Sequence, residues 1–174
     1  VGQDVLSLHH GNGRFPERRG AKGLATRTNM TKEQKTQAIE LLFAEKCSCV
    51  IRNGDSMRIF RERGVADLFR LLREEPQLLR GAFIADKVVG KGAAALMVLG
   101  GVEGLFADVV SRPALELLAG AGIAVEYTVV VPGIMNRAGT GTCPVEQLCA
   151  GAETAAECLP LIEGFMQKMK EQHG

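Results

Sequence analysis

Histidine is nearly missing from this sequence: the only three are His9, His10 and His173, all close to the chain ends. A catalytic imidazole or a buried His metal ligand has to be held on a rigid element, so Ser-His-Asp and Cys-His chemistry are excluded. Paired cysteines are missing as well. Cys47, Cys49, Cys143, Cys149 and Cys158 are odd in number and include no C-x-x-C, whereas a structural zinc site needs four Cys or His ligands in close pairs. The sequence therefore predicts no bound metal and no other cofactor, with free thiols in a reducing, cytoplasmic compartment. No apolar run approaches the ~18 residues of a membrane span, and no apolar signal-peptide core stands at the start. Charge of one sign does not dominate either. The 21 Lys and Arg against 20 Asp and Glu leave +1, which argues against a nucleic acid or an anionic membrane as partner.

What is there suffices for one domain with a packed core: 174 residues, 46% hydrophobic. Residues 1–29 stand apart, with five Gly, five basic and two acidic residues and no apolar periodicity. Such a stretch cannot offset its chain entropy by burial and is expected to be a disordered upstream extension. The rival reading, a basic arm on nucleic acid, lacks aromatic interleaving. Without that segment the net charge is −2. The single domain is expected to run from Met30 to Gly174. It opens with a capping-box pattern, Thr31-Lys32-Glu33-Gln34, before a helix with Ile39, Leu42 and Phe43 on one face.

Cys47 to Arg52 and Ser56 to Arg61 read as strands joined at Asn53-Gly54, a strong hairpin signal because a tight turn needs positive φ. Val65, Leu68, Phe69 and Leu72 form a helical stripe that stops before Pro76. Strand-then-helix units follow. Ala82–Ala85 is a short strand ending at Asp86-Lys87, and Gly90-Lys91-Gly92 opens a small-residue helix that stops at Gly100-Gly101. Gly104–Val110 is a strand, with Ser111-Arg112-Pro113 as cap and first turn of the next helix. Ala124–Val131 is the longest and most β-branched strand, and Pro132 to Thr142 is a loop. The final helical region runs from about Cys143 to Gln172 and is expected to kink or divide at Pro160. Continuous apolar strands call for cover on both faces. The fold class is thus α/β: a three-layer α/β/α sandwich on a five-stranded mixed sheet, an opening β-hairpin beside three parallel strands. Cys47 and Cys49 alternate on the first strand and are expected on one face; Cys149, Cys158, Met97, Met166 and Met169 read as core.

Asp86 to Ala95 (D-K-V-V-G-K-G-A-A-A), Val110 to Ala114 (V-S-R-P-A) and the pair I-M-N-R and C-P-V-E between Ile134 and Glu146 together resemble a small prokaryotic family of unknown function. That family adopts the cytidine-deaminase-like fold, and the resemblance covers about Met30 to Met169. It implies the same fold here. Deaminases set H-x-E at one helix start and P-C-x-x-C at the next, holding zinc on His and two Cys. The helix starts aligned with these here are Gly90-Lys91-Gly92-Ala93 and Ser111-Arg112-Pro113-Ala114, with no His, Glu or Cys, so a zinc-less domain without hydrolytic deamination is implied.

In an open α/β sheet, ligands sit beyond the carboxyl ends of the strands. Lys87, Lys91, Arg112 and Arg137, with Ser111 and the helix-start N–H groups, form a candidate anion cradle there, joined by Asn136 and Glu146. The plainer reading is that these charges only solvate loops. Gly90 and Gly92 either admit a ligand to the backbone or permit close packing; they form no phosphate loop, since G-x-x-x-x-G-K-S/T is absent. Pro144 fits the first helical position, which makes Cys143 the N-cap, with Glu146 able to close back on its N–H. The helix start and Arg137 favour the Cys143 thiolate; the plainer reading is a cysteine that packs. The function expected is binding of a small anionic metabolite, phosphorylated or nucleotide-like, at this edge. The alternatives are a metal-independent enzyme using Cys143 as nucleophile or Asp86 as acid and base, and a partner-binding subunit. A homo-oligomer is left open.

Overall fold

A computed structural model describes residues 30–62 and 64–173. The expectation for residues 1–29 lies outside them. Helix α1 (Lys32–Ala44) starts as its capping box predicts: Thr31 Oγ1 accepts from the Gln34 N–H at 3.2 Å and Gln34 Oε1 from the Thr31 N–H at 2.9 Å. Its inner face carries Ala38 and Leu42. Phe43, expected beside them, is 53% exposed and meets Phe106 edge-on.

Strands β1 (Cys49–Asn53) and β2 (Ser56–Phe60) form the hairpin. Asn53 pairs with Ser56, so the two turn residues are Gly54 and Asp55, one position beyond the expected pair. Gly54 takes the positive φ of 59° that the turn demands. The freed Asn53 side chain donates to Leu78 O and Arg80 O, both at 2.9 Å, and binds the hairpin to the second of the next two helices. Those are α2 (Ala66–Glu74) and α3 (Pro76–Leu79), the second a short helix that the sequence pattern did not suggest. Strand β3 (Phe83–Val89) follows, then α4 (Lys91–Gly100), β4 (Gly104–Ser111), α5 (Arg112–Gly120) and β5 (Ala124–Val131). Helix α6 (Pro144–Cys149) and helix α7 (Ala155–His173) end the chain. The break between them falls at 150–154, not at Pro160, which lies inside α7. Thr154 ends the break: its Oγ1 accepts from the Glu157 N–H, and Glu157 Oε2 accepts from the Glu153 N–H.

The sheet order is β2-β1-β3-β4-β5, antiparallel at β1 and parallel from β3 to β5, the mixed five-stranded arrangement expected. Two right-handed crossovers that advance in the same direction put α4 and α5 on one face. There the larger core gathers Ile51, Ile84, Leu96, Leu105, Leu118 and Ile162. The opposite face carries α1 over β1 and β3 and a smaller core around Leu42, Val50 and Phe83. Cys49 enters the larger core and Cys47 the smaller one, because the strand begins only at Cys49 and the turn before it has no alternation. Met97 is core, Met166 packs on it partly buried, and Met169 is exposed.

Cover of the sheet is incomplete, contrary to the sequence expectation. β5 is an edge strand, and Val88, Tyr127 and Val129 are each about half exposed. The most β-branched strand is therefore the least buried.

Gly92 faces Val145 so closely that an added Cβ would overlap Val145 Cγ1. Alanine normally gains ~1 kcal/mol over glycine inside a helix. Here Gly92→Ala should instead lose about 1–3 kcal/mol in urea unfolding, because α6 would be pushed off α4. A gain in stability would show that the two helices are not in tight contact.

Candidate functional site

The carboxyl edge of the sheet collects the ends of β3, β4 and β5 together with the start of β1, which runs antiparallel. Two buried carboxyl groups mark it, and their surroundings differ sharply.

Glu146 is 6% exposed. Its Oε1 accepts from the Lys91 backbone N–H at 3.1 Å and from Ser111 Oγ at 2.8 Å; its Oε2 accepts from the Ile134 N–H at 3.2 Å. Helix α4 has Gly90 at its N-cap and no side-chain cap of its own, so Glu146 supplies that function to Lys91 from 55 residues further on. The ten-residue helix directs its positive end at this carboxylate. Any Cβ on Gly90 would stand 2.6 Å from Glu146 Oε2, which fixes glycine there. The close approach that Gly90 permits is thus made by the chain's own carboxylate. Glu146 does not close back on Cys143, whose N–H already donates to Ile134 O at 2.7 Å. Ser111 also caps α5, accepting from the Ala114 N–H at 3.3 Å.

Asp86 is the second carboxyl, 8% exposed. It does not end β3 but lies in the strand interior, paired with Cys49 of β1 and Ala107 of β4. It stands three positions before Val89, about 10 Å of strand. Val88 N–H donates to its Oδ1 at 3.2 Å. Among the described residues no Lys or Arg side-chain nitrogen lies within 4 Å of its carboxyl oxygens. Burial pushes Asp86 up to about 7, against the pull of the Val88 and Lys87 amides and the Cys49 thiol. Burial, and then the Asp86 carboxyl, push the Cys49 thiol well above its ordinary value.

The remaining expected site residues do not join one cradle. Lys87 alternates to the face opposite Asp86 and lies near Cys47. The Lys91 ammonium turns away from Glu146, toward the carbonyls of Ala150 and Ala152. Arg112 and Arg137 are exposed at the start of α5 and in the loop after β5. Asn136 organises that loop, accepting from the Thr140 N–H at 3.0 Å while its own N–H donates to Gly141 O at 2.8 Å. Cys143 is the N-cap of α6, as expected, and packs partly buried on the larger core. The junction thus unites Gly90, the Lys91 backbone, Ser111 and Glu146. It adds Ile134, which acts through its N–H and so carried no residue-type signal. Among the described residues no three His, Cys, Asp or Glu side chains gather where they could hold a metal.

The family model described as a domain of unknown function (DUF1893) matches residues 37–166. The fold is similar to that of a DUF1893 family protein (TM1506) from Thermotoga maritima, with a TM-score of 0.74 and 23% identity over 83% of this chain and 97% of that one. No curated protein matches the chain.

Asp86 generates a test of sign. Its folded-state value near 7 lies above the ~3.9 of an unfolded chain. Its contribution is therefore fully present below pH 4 or so and is lost as pH rises toward 7, since only the unfolded chain ionises freely over that window. Asp86→Asn keeps an acceptor for the Val88 N–H and should flatten this slope. Urea unfolding at pH 8 should find the variant about 2–4 kcal/mol more stable than the parent. Equal stability at pH 8 would mean that Asp86 is ionised at little cost.

Proposed function

This chain belongs to the DUF1893 family, and on that footing we propose that it is a binding module for a small anionic metabolite, phosphorylated or nucleotide-like, at the carboxyl edge of its sheet. One observation carries the reading: the Lys91 N–H, the Ile134 N–H and Ser111 Oγ converge on a single carboxylate at the start of a ten-residue helix. Such a set of donors is a receptor for an oxyanion, and Glu146 is its built-in occupant. Arg112 and Arg137 stand on the flanks, exposed and without an acidic partner within 4 Å among the described residues. The resemblance to a zinc-less cytidine-deaminase-like scaffold fits binding without hydrolysis.

An incoming anion has to compete with a tethered carboxylate, whose effective concentration is of millimolar order or above. Thermal unfolding with inorganic phosphate and with adenosine monophosphate should therefore show a small response for the parent protein and a larger one for Glu146→Ala. At a hundredfold excess over the dissociation constant the gain is ~2.7 kcal/mol. Arg137→Glu should remove most of the adenosine monophosphate response. If neither anion stabilises Glu146→Ala, the junction is structural only and the reading fails.

The high, cation-free carboxyl of Asp86 favours a second reading, a metal-independent acid–base enzyme. Its buried neighbours supply no nucleophile ready for use, since the Cys49 thiol is pushed well above its ordinary value.

A further inference from the structure

The side chain of Lys91 serves a place other than the junction held by its backbone. An open cleft of about 550 Å³ runs between α5 and the turn from α6 to α7, reaching Lys91 between apolar walls that include Val98 and Leu117. Small-molecule sites commonly occupy about 300–1,000 Å³. Lys91 is only 9% exposed, and among the described residues its ammonium has no carboxylate within 4 Å. It donates to Ala150 O at 3.4 Å and to Ala152 O. An ammonium has three N–H donors, so two carbonyls leave one of them for a further acceptor. Carbonyl dipoles replace only part of the hydration that a full charge gives up on burial. The Glu146 carboxylate answers that charge from a distance, on the backbone N–H of the same residue.

The rim of the cleft has the opposite sign. Glu116 and Glu153 both line it and are exposed. A phosphate ester, with a charge near −2, would be repelled by this pair on its way to Lys91. A molecule that carries a carboxylate and an ammonium on one carbon can turn the first to Lys91 and the second outward, to the side of Glu116 and Glu153, and lay an apolar side chain along Val98 and Leu117. From this charge order we propose that the cleft binds a free apolar α-amino acid. The site is independent of the anion reading at the sheet edge, and either can fail without the other.

Amide resonances of the full chain, followed during titration with L-leucine, test the proposal. The analogues 4-methylpentanoate and isopentylamine, each lacking one of the two charges, are titrated in parallel. L-leucine should shift the amides of Val98, Leu117 and Ala155 saturably, and each analogue should bind at least about tenfold more weakly. Leu117→Trp fills the cleft from a half-buried wall position and should abolish these shifts with little change in Tm. Lys91→Met should weaken L-leucine and 4-methylpentanoate while leaving isopentylamine unchanged. Inorganic phosphate should leave the three cleft amides unmoved. The absence of saturable shifts with L-leucine overturns the proposal, as do equal affinities for all three molecules or unchanged binding by Leu117→Trp.

Discussion

One carboxylate holds the carboxyl edge of this sheet together. Glu146 reaches from α6 to the first amide of α4, to the hydroxyl that ends β4, and to the loop that follows β5. Three successive strand-to-helix connections are thus fastened at a single point. Taking a carboxylate out of water costs several kcal/mol, and only good geometry with charge-assisted donors offsets that. Here three donors and the positive end of α4 provide it. The same requirement explains why position 90 must be glycine, because any side chain would enter the space of the carboxylate.

Lys91 completes the tie from the other end. Its backbone N–H meets Glu146 near the start of α6, and its ammonium meets Ala150 O just beyond the end of α6. A cation at helix-terminal carbonyls satisfies groups that have no intrahelical partner. The six-residue α6 is too short to stand alone and is held against α4 by one residue acting through two atoms. Val145 fills the remaining contact against Gly92. Packing and polar bonding therefore agree on the placement of α6.

Features with local causes could be read from the sequence. The Thr31 capping box, the Gly101 stop at φ 78° and the Ser111-Arg112-Pro113 start each depend on residues within a turn of one another, and each forms as expected. The extent of Ala124–Val131 was equally plain from its β-branched run. Local sequence carries no signal where pairing across the sheet decides. Asp86-Lys87 has the chemistry of a strand end, yet β1 and β4 on either side carry the ladder through to Val89. Glu146 was legible as a helix-start acid but not as the cap of a different helix, since nothing near it in sequence shows that the Cys143 N–H is already committed to Ile134 O. The break before α7 has a local signal in Thr154-Ala155-Ala156-Glu157, a capping pattern six residues ahead of Pro160. Proline within a helix is the stronger general signal, but here the cap decides where α7 begins.

The two buried carboxyl groups differ in what surrounds them. Glu146 accepts from three donors, so it rigidifies its surroundings and offers a ligand little unless displaced. Asp86 has amide and thiol neighbours but no cation, and above neutral pH it becomes a charge that the fold holds at a cost. A group of that kind survives in a folded protein only when the structure around it is strong enough to carry the loss. The β1–β3–β4 ladder around Asp86 is the central part of the sheet and can do so. A carboxylate fixed by three donors at a helix start is suited to holding that sheet's edge in one shape.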